Sequence, residues 1–335
     1  MLINYSPKLI LSNNNWTKHV QYFLGNHLLL EEHTMNILIT GGTGFIGRTL
    51  IKHLQKESHK ITVLSRTPDT INKIFNNEVT ALSNIDLLKP DHNFEIIINL
   101  AGAAIFDNHW SDARKQVIRD SRITLTEQLI SYIKQATIKP ELFISGSAIG
   151  YYGDQGNQEL NESSPVQADF SQRLCADWES TALQAEKFGV RVCLIRTGLV
   201  LGHDGGLLQR MQIPFKLGLG GILGNGQQWM SWIHRADWVN IAKFMINNKS
   251  MQGAYNATAP HPVTNSDFTK ILSKHLKRPA LLPAPAWLLK MLLGERSDLI
   301  LASQRVLPER LLAENFHFEY SELLSALTEI SSHHD

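Results

Sequence analysis

Cysteine is scarce. The 335 residues include two, Cys175 and Cys193, far apart and in no metal-ligand spacing. A disulfide framework and a structural zinc site are both excluded as organising devices, and no metal site is expected. Such usage fits a reducing compartment, so the expectation is a cytoplasmic protein. Surplus charge is missing as well: 32 Lys and Arg face 31 Asp and Glu, a formal net charge of +1. That balance gives no electrostatic case for nucleic acid or an anionic membrane. Long apolar runs are absent. "PALLPAPAWLLKMLLG", residues 279–294, is interrupted by proline and too short to span a bilayer. No internal repeat or low-complexity tract stands out. What remains is an ordinary globular mixture, 43% hydrophobic and 19% charged, long enough for one large domain or one domain with a smaller appendage. Partners reduce to an unidentified small-molecule substrate. Composition leaves oligomer formation open.

Residues 1–34 lack the charged start, compact apolar centre and small-residue cleavage site of a secretory signal. They read as an N-terminal extension, poorly ordered, that stops just before Met35. The alternative is a short docking helix using Leu28, Leu29 and Leu30.

From Asn36 onward, apolar runs alternate with longer amphipathic stretches. Strands are expected over residues 37–40, 61–64, 95–100, 142–145 and 190–195, and helices over 45–56, 113–135 and 170–187. Near-continuous apolar strands between helices indicate α/β architecture, a doubly wound parallel sheet covered on both faces. After Arg196 the chain turns rich in glycine, as expected of loops capping a site. A strand–helix unit, "WMSWIHRADWVNIAKFMIN", follows. The expected division is a Rossmann-type domain with substrate-lobe insertions over 35–260 and a smaller, mostly helical C-terminal lobe over 261–335.

"ILITGGTGFIGRTL" carries the first chemical signal. Gly42, Thr43, Gly44, Phe45, Ile46 and Gly47 fit G-x-G-x-x-G, with Gly41 in front, between a strand and a helix. Gly42 is expected to permit the tight turn, Gly44 to let backbone approach a pyrophosphate, and Gly47 to let the helix pack on the strand. The helix start then offers N–H groups to the phosphates. At the end of the second strand stand Ser65 and Arg66, where an acidic residue would hold an NAD ribose. A guanidinium suits a 2′-phosphate, so NADP is preferred over NAD. "NLAG" places Leu100, Ala101 and Gly102 at another strand end, where the sheet meets a ligand.

Together these stretches resemble the short-chain dehydrogenase/reductase superfamily, extended branch, from Met35 to about Ala259. "GGTGFIG", "NLAG", "ISGSAIGYYGD", "IRTGLVLG" and "GNGQQWMSWIHRADWV" carry the resemblance. "NLAGAAI", Ser121-Arg122, "SAIGYYG", "DWE", "PFKLGLGG" and "WIHRADWV" resemble an atypical subgroup, the epimerase-family proteins with a C-terminal helical domain of unknown function, here about residues 283–330. The resemblance implies that "IRTGLVLG" contacts cofactor through Leu201 and that Arg122 reaches a cofactor phosphate. A solvated helix arginine is the alternative.

The departure from the pattern is chemical. Typical members carry Tyr-x-x-x-Lys on the helix after the serine-bearing strand. Counting back from Glu179 in "DFSQRLCADWES" places Ser171 and Cys175 at those positions, and neither supplies the same acid–base chemistry. Ser147 matches the catalytic serine if Tyr151 is the motif tyrosine; Tyr152-Gly153 puts Ala148 there instead. Tyr151 or Tyr152 could bring a phenol to the site, or pack over the cofactor ring. Cys175 reads as a ribose neighbour or a buried thiol. Asp177 and Glu179 read as helix-surface or packing residues. His234 reads as packed or substrate-facing, Asp237 as an anion at a helix start, and Trp229, Trp232 and Trp238 with Met230 as an apolar wall facing a substrate or the second lobe. Two functions follow: an NADP-dependent oxidoreductase or epimerase-like enzyme, or a non-enzymatic NADP-binding sensor or scaffold. Replacing Arg66 by Asp is expected to weaken NADPH binding more than NADH binding, by about 1–3 kcal/mol for a lost charge-assisted contact. Calorimetry giving equal losses for both cofactors removes Arg66 from the 2′-phosphate.

Overall fold

The β-branched and leucine-rich runs all become strands of one sheet. The structure, a computed structural model, describes residues 34–332, so both readings of the N-terminal extension lie outside the described residues up to His33. The strands are β1 (Asn36–Thr40), β2 (Lys60–Leu64), β3 (Thr80–Leu82), β4 (Ile96–Asn99), β5 (Leu142–Ala148), β6 (Arg191–Thr197) and β7 (Gly253–Ala257). Their order is β3-β2-β1-β4-β5-β6-β7, and every neighbouring pair is parallel. The chain winds outward from β1 in one direction and from β4 in the other, as the apolar pattern predicts.

Helices α1 (Phe45–Lys56), α2 (Pro68–Ile74), α3 (Asp112–Asp120), α4 (Ile123–Gln135), α5 (Phe170–Ala182), α6 (Gly206–Lys216), α7 (Arg235–Asn247) and α8 (Asn265–Leu276) follow in turn. Pleat alternation sorts the core. Ile37 and Ile39 join the cluster that includes Leu50 and Leu54 of α1 and Ile241 and Met245 of α7. Leu38, pointing the other way, joins Leu129 and Ile133 of α4. Each such side chain is fully buried, a contribution of about 1.5–3 kcal/mol.

Two expected helices are shorter than their apolar patterns. The stretch 113–135 breaks at Ser121-Arg122, giving α3 and α4, and 170–187 ends as α-helix at Ala182 before a 3₁₀ turn. β3 and β7 were not expected. β7, "GAYNA", has little apolar character, yet Tyr255, Asn256 and Ala257 are completely buried on pairing with β6.

The C-terminal part adds α9 (Ala286–Leu293), α10 (Asp298–Leu301), α11 (Glu309–Ala313) and α12 (Leu323–Ser332). The expected boundary at residues 260 and 261 is no break in packing. Leu311, Phe316 and Phe318 belong to the same core as Ile37 and Trp238, and Phe316 meets Phe244 of α7 edge-on at 5.4 Å. Asp237 lies in the first turn of α7 as expected, but its buried carboxylate accepts the backbone N–H groups of Glu319 at 2.8 Å and Tyr320 at 2.9 Å. His234 is packed. Its Nδ1 caps α7 at Ala236, its Nε2 sits 2.8 Å from Glu329, and its ring lies 4.0 Å from Tyr320. Trp232 and Trp238 are fully buried, so they form no substrate-facing wall. Among the described residues no helix is long and apolar enough to cross a membrane.

Since the C-terminal aromatics and Leu311 complete the sheet core, Leu311→Ala is expected to lower global stability by about 2–5 kcal/mol within a single cooperative transition. Two separated denaturation steps would show a lobe that folds by itself.

Candidate active site

The carboxyl ends of β1 and β4 lie side by side at the point where the winding reverses, with Thr40 paired to Asn99. After β1 the backbone turns at Gly41, whose φ of +74° belongs to the left-handed region. A Cβ there would lie 2.7 Å from the Leu100 carbonyl carbon and oxygen. The turn residue is therefore Gly41, a correction to the expectation for Gly42. Gly42 instead makes room for Val63 and Ile51, and a Cβ on Gly47 would lie 2.4 Å from the Gly41 carbonyl oxygen. Gly44 is exposed and is the N-cap of α1, with no side-chain cap and no acidic residue in the first turn. The helix thus presents its first N–H groups and positive dipole end unneutralised. Thr43 and Ile46 are half-buried beside it. Phe45 reaches away, against Gly202, Gly205 and Gly206, with the Arg235 guanidinium 4.5 Å over its ring.

Arg66 stands exposed after β2, with no hydrogen bond or ion pair among the described residues. Ser65 is held locally, its hydroxyl accepting the Thr67 N–H at 3.2 Å. Leu201 does not reach this edge. It is completely buried with Trp232 and Leu208, so its expected cofactor contact fails.

A buried polar chain fixes the β4 end. Thr40 donates to Asn99 Oδ1 at 2.7 Å and accepts the Ala101 N–H at 3.1 Å, while Asn99 donates to Thr126 at 2.8 Å. Trp178 of α5 donates to the same Thr126 hydroxyl at 3.1 Å. The helix break at Ser121-Arg122 continues this clamp. Ser121 accepts the Ala103 N–H and donates to the Ile118 carbonyl, each at 2.9 Å. Arg122 Nη1 donates to Ile118 O at 3.0 Å and Ala103 O at 3.3 Å. Its guanidinium lies 5.3 Å over the Trp178 ring. Burial lowers its pKa, and the neighbouring Cys175 opposes that change.

Leu100 and Ala101 touch Gly41, whereas a Cβ on Gly102 would lie 2.8 Å from Arg122 Cζ. One short loop therefore has two stations, a phosphate cradle and an arginine. Arg122 thus stands beside Gly102 and Trp178 of α5, one loop residue beyond those that touch Gly41.

At the end of β5, Ser147 is 5% exposed and donates to Glu179 Oε1 at 2.6 Å. Glu179 is a buried ion-pair partner. Arg196 grips it through Nε to Oε1 and Nη2 to Oε2, both 2.8 Å, with side-chain exposures of 5% and 6%. Burial opposes the charge on Arg196, but the hydrogen bonds and charge of Glu179 outweigh it and raise its pKa. Arg196 Nη1 donates to the Tyr152 hydroxyl at 3.0 Å, and that hydroxyl donates to Asn256 Oδ1 at 2.6 Å. Tyr152 is fully buried, and burial pushes its phenol up to about 12. It is a structural residue, closed off from solvent with its hydroxyl held by Arg196 and Asn256, a correction to its candidate role. Tyr151 is half-buried, its ring face 3.5 Å from Arg196 Cζ. Cys175 is a buried thiol pushed up to about 12 by burial, with Glu179 adding to the effect. Gly150 packs on Ser171 and Cys175. Sequence reasoning placed Ser147, Ser171 and Cys175 at one edge but missed Glu179 and Arg196. Their i, i+8 and cross-strand relations are signals only once α5 and β6 are known to face each other.

With this geometry in place, comparison with known proteins is decisive. The model of the NAD dependent epimerase/dehydratase family matches residues 37–258. The chain belongs to this family. A second model, a domain of unknown function (DUF1731), matches residues 284–330. Within the family, the chain is 39% identical over 306 residues to the epimerase family protein SDR39U1 homolog, chloroplastic, of Arabidopsis thaliana, covering 90% of this chain and 88% of that one. The crystal structure of the human epimerase family protein SDR39U1 (isoform2) with NADPH superposes with a TM-score of 0.80 at 30% identity, over 89% of this chain and 99% of that one. A nucleoside-diphosphate sugar epimerase from Corynebacterium glutamicum gives 0.71 at 31%, over 89% and 58%. The UDP-glucuronic acid 4-epimerase of Bacillus cereus, at 16% identity and a TM-score of 0.70, shares the fold.

Within this family member, Glu179→Gln leaves the Arg196 charge buried without its counter-ion. It is expected to cost about 3–5 kcal/mol, read as a lower denaturant midpoint. A loss below about 1 kcal/mol would show the pair to be solvated.

Proposed function

We propose that this chain binds NADP(H) and acts as an atypical short-chain oxidoreductase or epimerase-like enzyme on a small molecule, in a reducing, cytoplasm-like compartment. The observation carrying this reading is the cradle at the β1 and β4 ends: a left-handed Gly41 pressed on Leu100, an exposed Gly44, and an uncapped α1 start. These features fit a pyrophosphate, and the exposed Arg66 fits a 2′-phosphate. The human relative's complex with NADPH supports the same cofactor. When bound, NADPH supplies a hydride. The chain's own residues position it and exclude water.

Helix α5 has no tyrosine or lysine, so we read the Tyr-x-x-x-Lys relay as absent. Serine has no accessible pKa near neutrality, and a thiol supplies no fixed positive charge. Ser147 remains the polar anchor at the β5 end, its hydroxyl engaged by Glu179 and the Cys175 thiol. A second reading, a non-enzymatic NADP(H) sensor, is favoured by one observation: Ser147 and Tyr152 both give their protons to buried acceptors, Glu179 and Asn256.

A metabolite screen for NADPH oxidation separates the two. Under the enzyme reading a substrate appears, and Ser147→Ala lowers turnover by about tenfold or more with NADPH affinity nearly intact, while Ser171→Ala changes little. The opposite ranking would place the reaction at another strand–helix junction. NADPH binding without oxidation of any screened compound supports the sensor.

A further inference from the structure

The structure contains two half-built or fully built guanidinium forks on the same edge, and they differ in one respect. The Nε and Nη2 atoms of Arg196 hold both oxygens of Glu179 side-on, each at 2.8 Å. The Nε and Nη2 atoms of Arg122 have no hydrogen-bond partner among the described residues; all its bonds run through Nη1. Arg122 is half-buried, with its guanidinium carbon 5.3 Å from the Trp178 ring centroid. The free edge of the fork lies against Gly102, which is exposed. A Cβ at Gly102 would sit 2.9 Å from Nη2 and 3.2 Å from Nε, covering that edge. Glycine keeps the fork open. On the α5 side the neighbouring residue is Cys175; the nearby charge of Arg114 adds to the positive potential at Arg122, and no carboxylate answers it.

Resting on the NADP(H) reading, we propose that Arg122 is the recognition residue for the substrate, and that the substrate is a small molecule bearing a carboxylate. A planar fork with two parallel N–H donors matches a carboxylate bidentately, as Arg196 and Glu179 demonstrate within the same molecule. Its fixed charge cannot serve as an acid, so it binds and orients. The station at Gly102 is separate from the phosphate cradle at Gly41, which lets one loop hold cofactor on one side and substrate on the other.

The test is titration of the full chain with oxamate, a small planar carboxylate, by calorimetry, with and without saturating NADP⁺, alongside NADPH titration. Oxamate is expected to bind the unmodified protein in the millimolar range or tighter. Arg122→Met keeps the stem and removes the fork, and is expected to weaken oxamate by about tenfold or more while changing NADPH affinity by less than about twofold. Gly102→Ala keeps the charge but crowds the fork, and is expected to weaken oxamate similarly. This second variant decides the matter if Arg122→Met fails to fold. No oxamate binding to the unmodified protein overturns the proposal. So does a parallel loss of NADPH affinity in either variant, which would return Arg122 to the cofactor. Failure of NADPH to bind the unmodified protein sinks the cofactor reading instead, and the oxamate arm without NADP⁺ still reads Arg122.

Discussion

A guanidinium that burial would otherwise penalise heavily sets the layout of this molecule's reactive edge. Arg196 sits on the sixth strand of the sheet, surrounded by protein, and its charge is tolerable only because Glu179 answers it from α5. Once those two are joined, α5 is tied to the sheet, and the remaining polar capacity of the pair is distributed. Ser147 gives its proton to Glu179, and Tyr152 accepts from Arg196 and passes its own proton to Asn256. Asn256 in turn donates to the Leu307 carbonyl at 2.9 Å, bringing the C-terminal segment into the same network. Three strands, one helix and the C-terminal part are thereby fixed around one charge pair. A network of this kind favours a single arrangement, because any partial loss leaves a buried group unpaired.

That rigidity bears on the chemistry. Ser147 and Tyr152 both donate into the buried network, whereas Arg122, beside Trp178 of α5, keeps Nε and Nη2 without a partner among the described residues. The edge is therefore divided between a closed network that builds the wall and an open one that can recognise a small molecule. Both the enzyme and the sensor readings are compatible with a wall of that sort. They differ in whether a molecule ever stands between Arg122 and the cofactor cradle.

Much of the frame was legible in the sequence. Ile37, Ile39, Val63 and Ile98 announce strands by their apolar runs, and the glycines after Thr40 announce a backbone turn at a strand end. These are local signals. The missed features are the ones whose cause lies elsewhere in the chain. Tyr255 and Asn256 become a strand because β6 offers them a ladder. At the helix break, Ser121 and Arg122 meet the N–H and carbonyl of Ala103, a partner that lies elsewhere in the chain. Glu179 reads as a helix-surface or a packing residue, and only Arg196 facing it decides for the second. Gly41 and Gly42 are neighbours of identical composition, and only the position of Leu100 decides which of them makes the turn. The resemblance identified the family's positions but could not show that Tyr152 points into the core.

The C-terminal aromatics carry one more implication, for how the chain is made. Leu311, Phe316 and Phe318 lie in the same cluster as the first strand of the sheet. A ribosome delivers β1 long before it delivers those residues. Until they emerge, the face of the sheet near α7 stays uncovered, and its apolar surface is available to chaperones and to neighbouring chains. Closure of the core is thus a late, non-local event with a slow search, and it belongs to the completed polypeptide rather than to the nascent one. A premature stop shortly before residue 311 would release a chain bearing every glycine of the cofactor cradle and no means of sealing the sheet behind it.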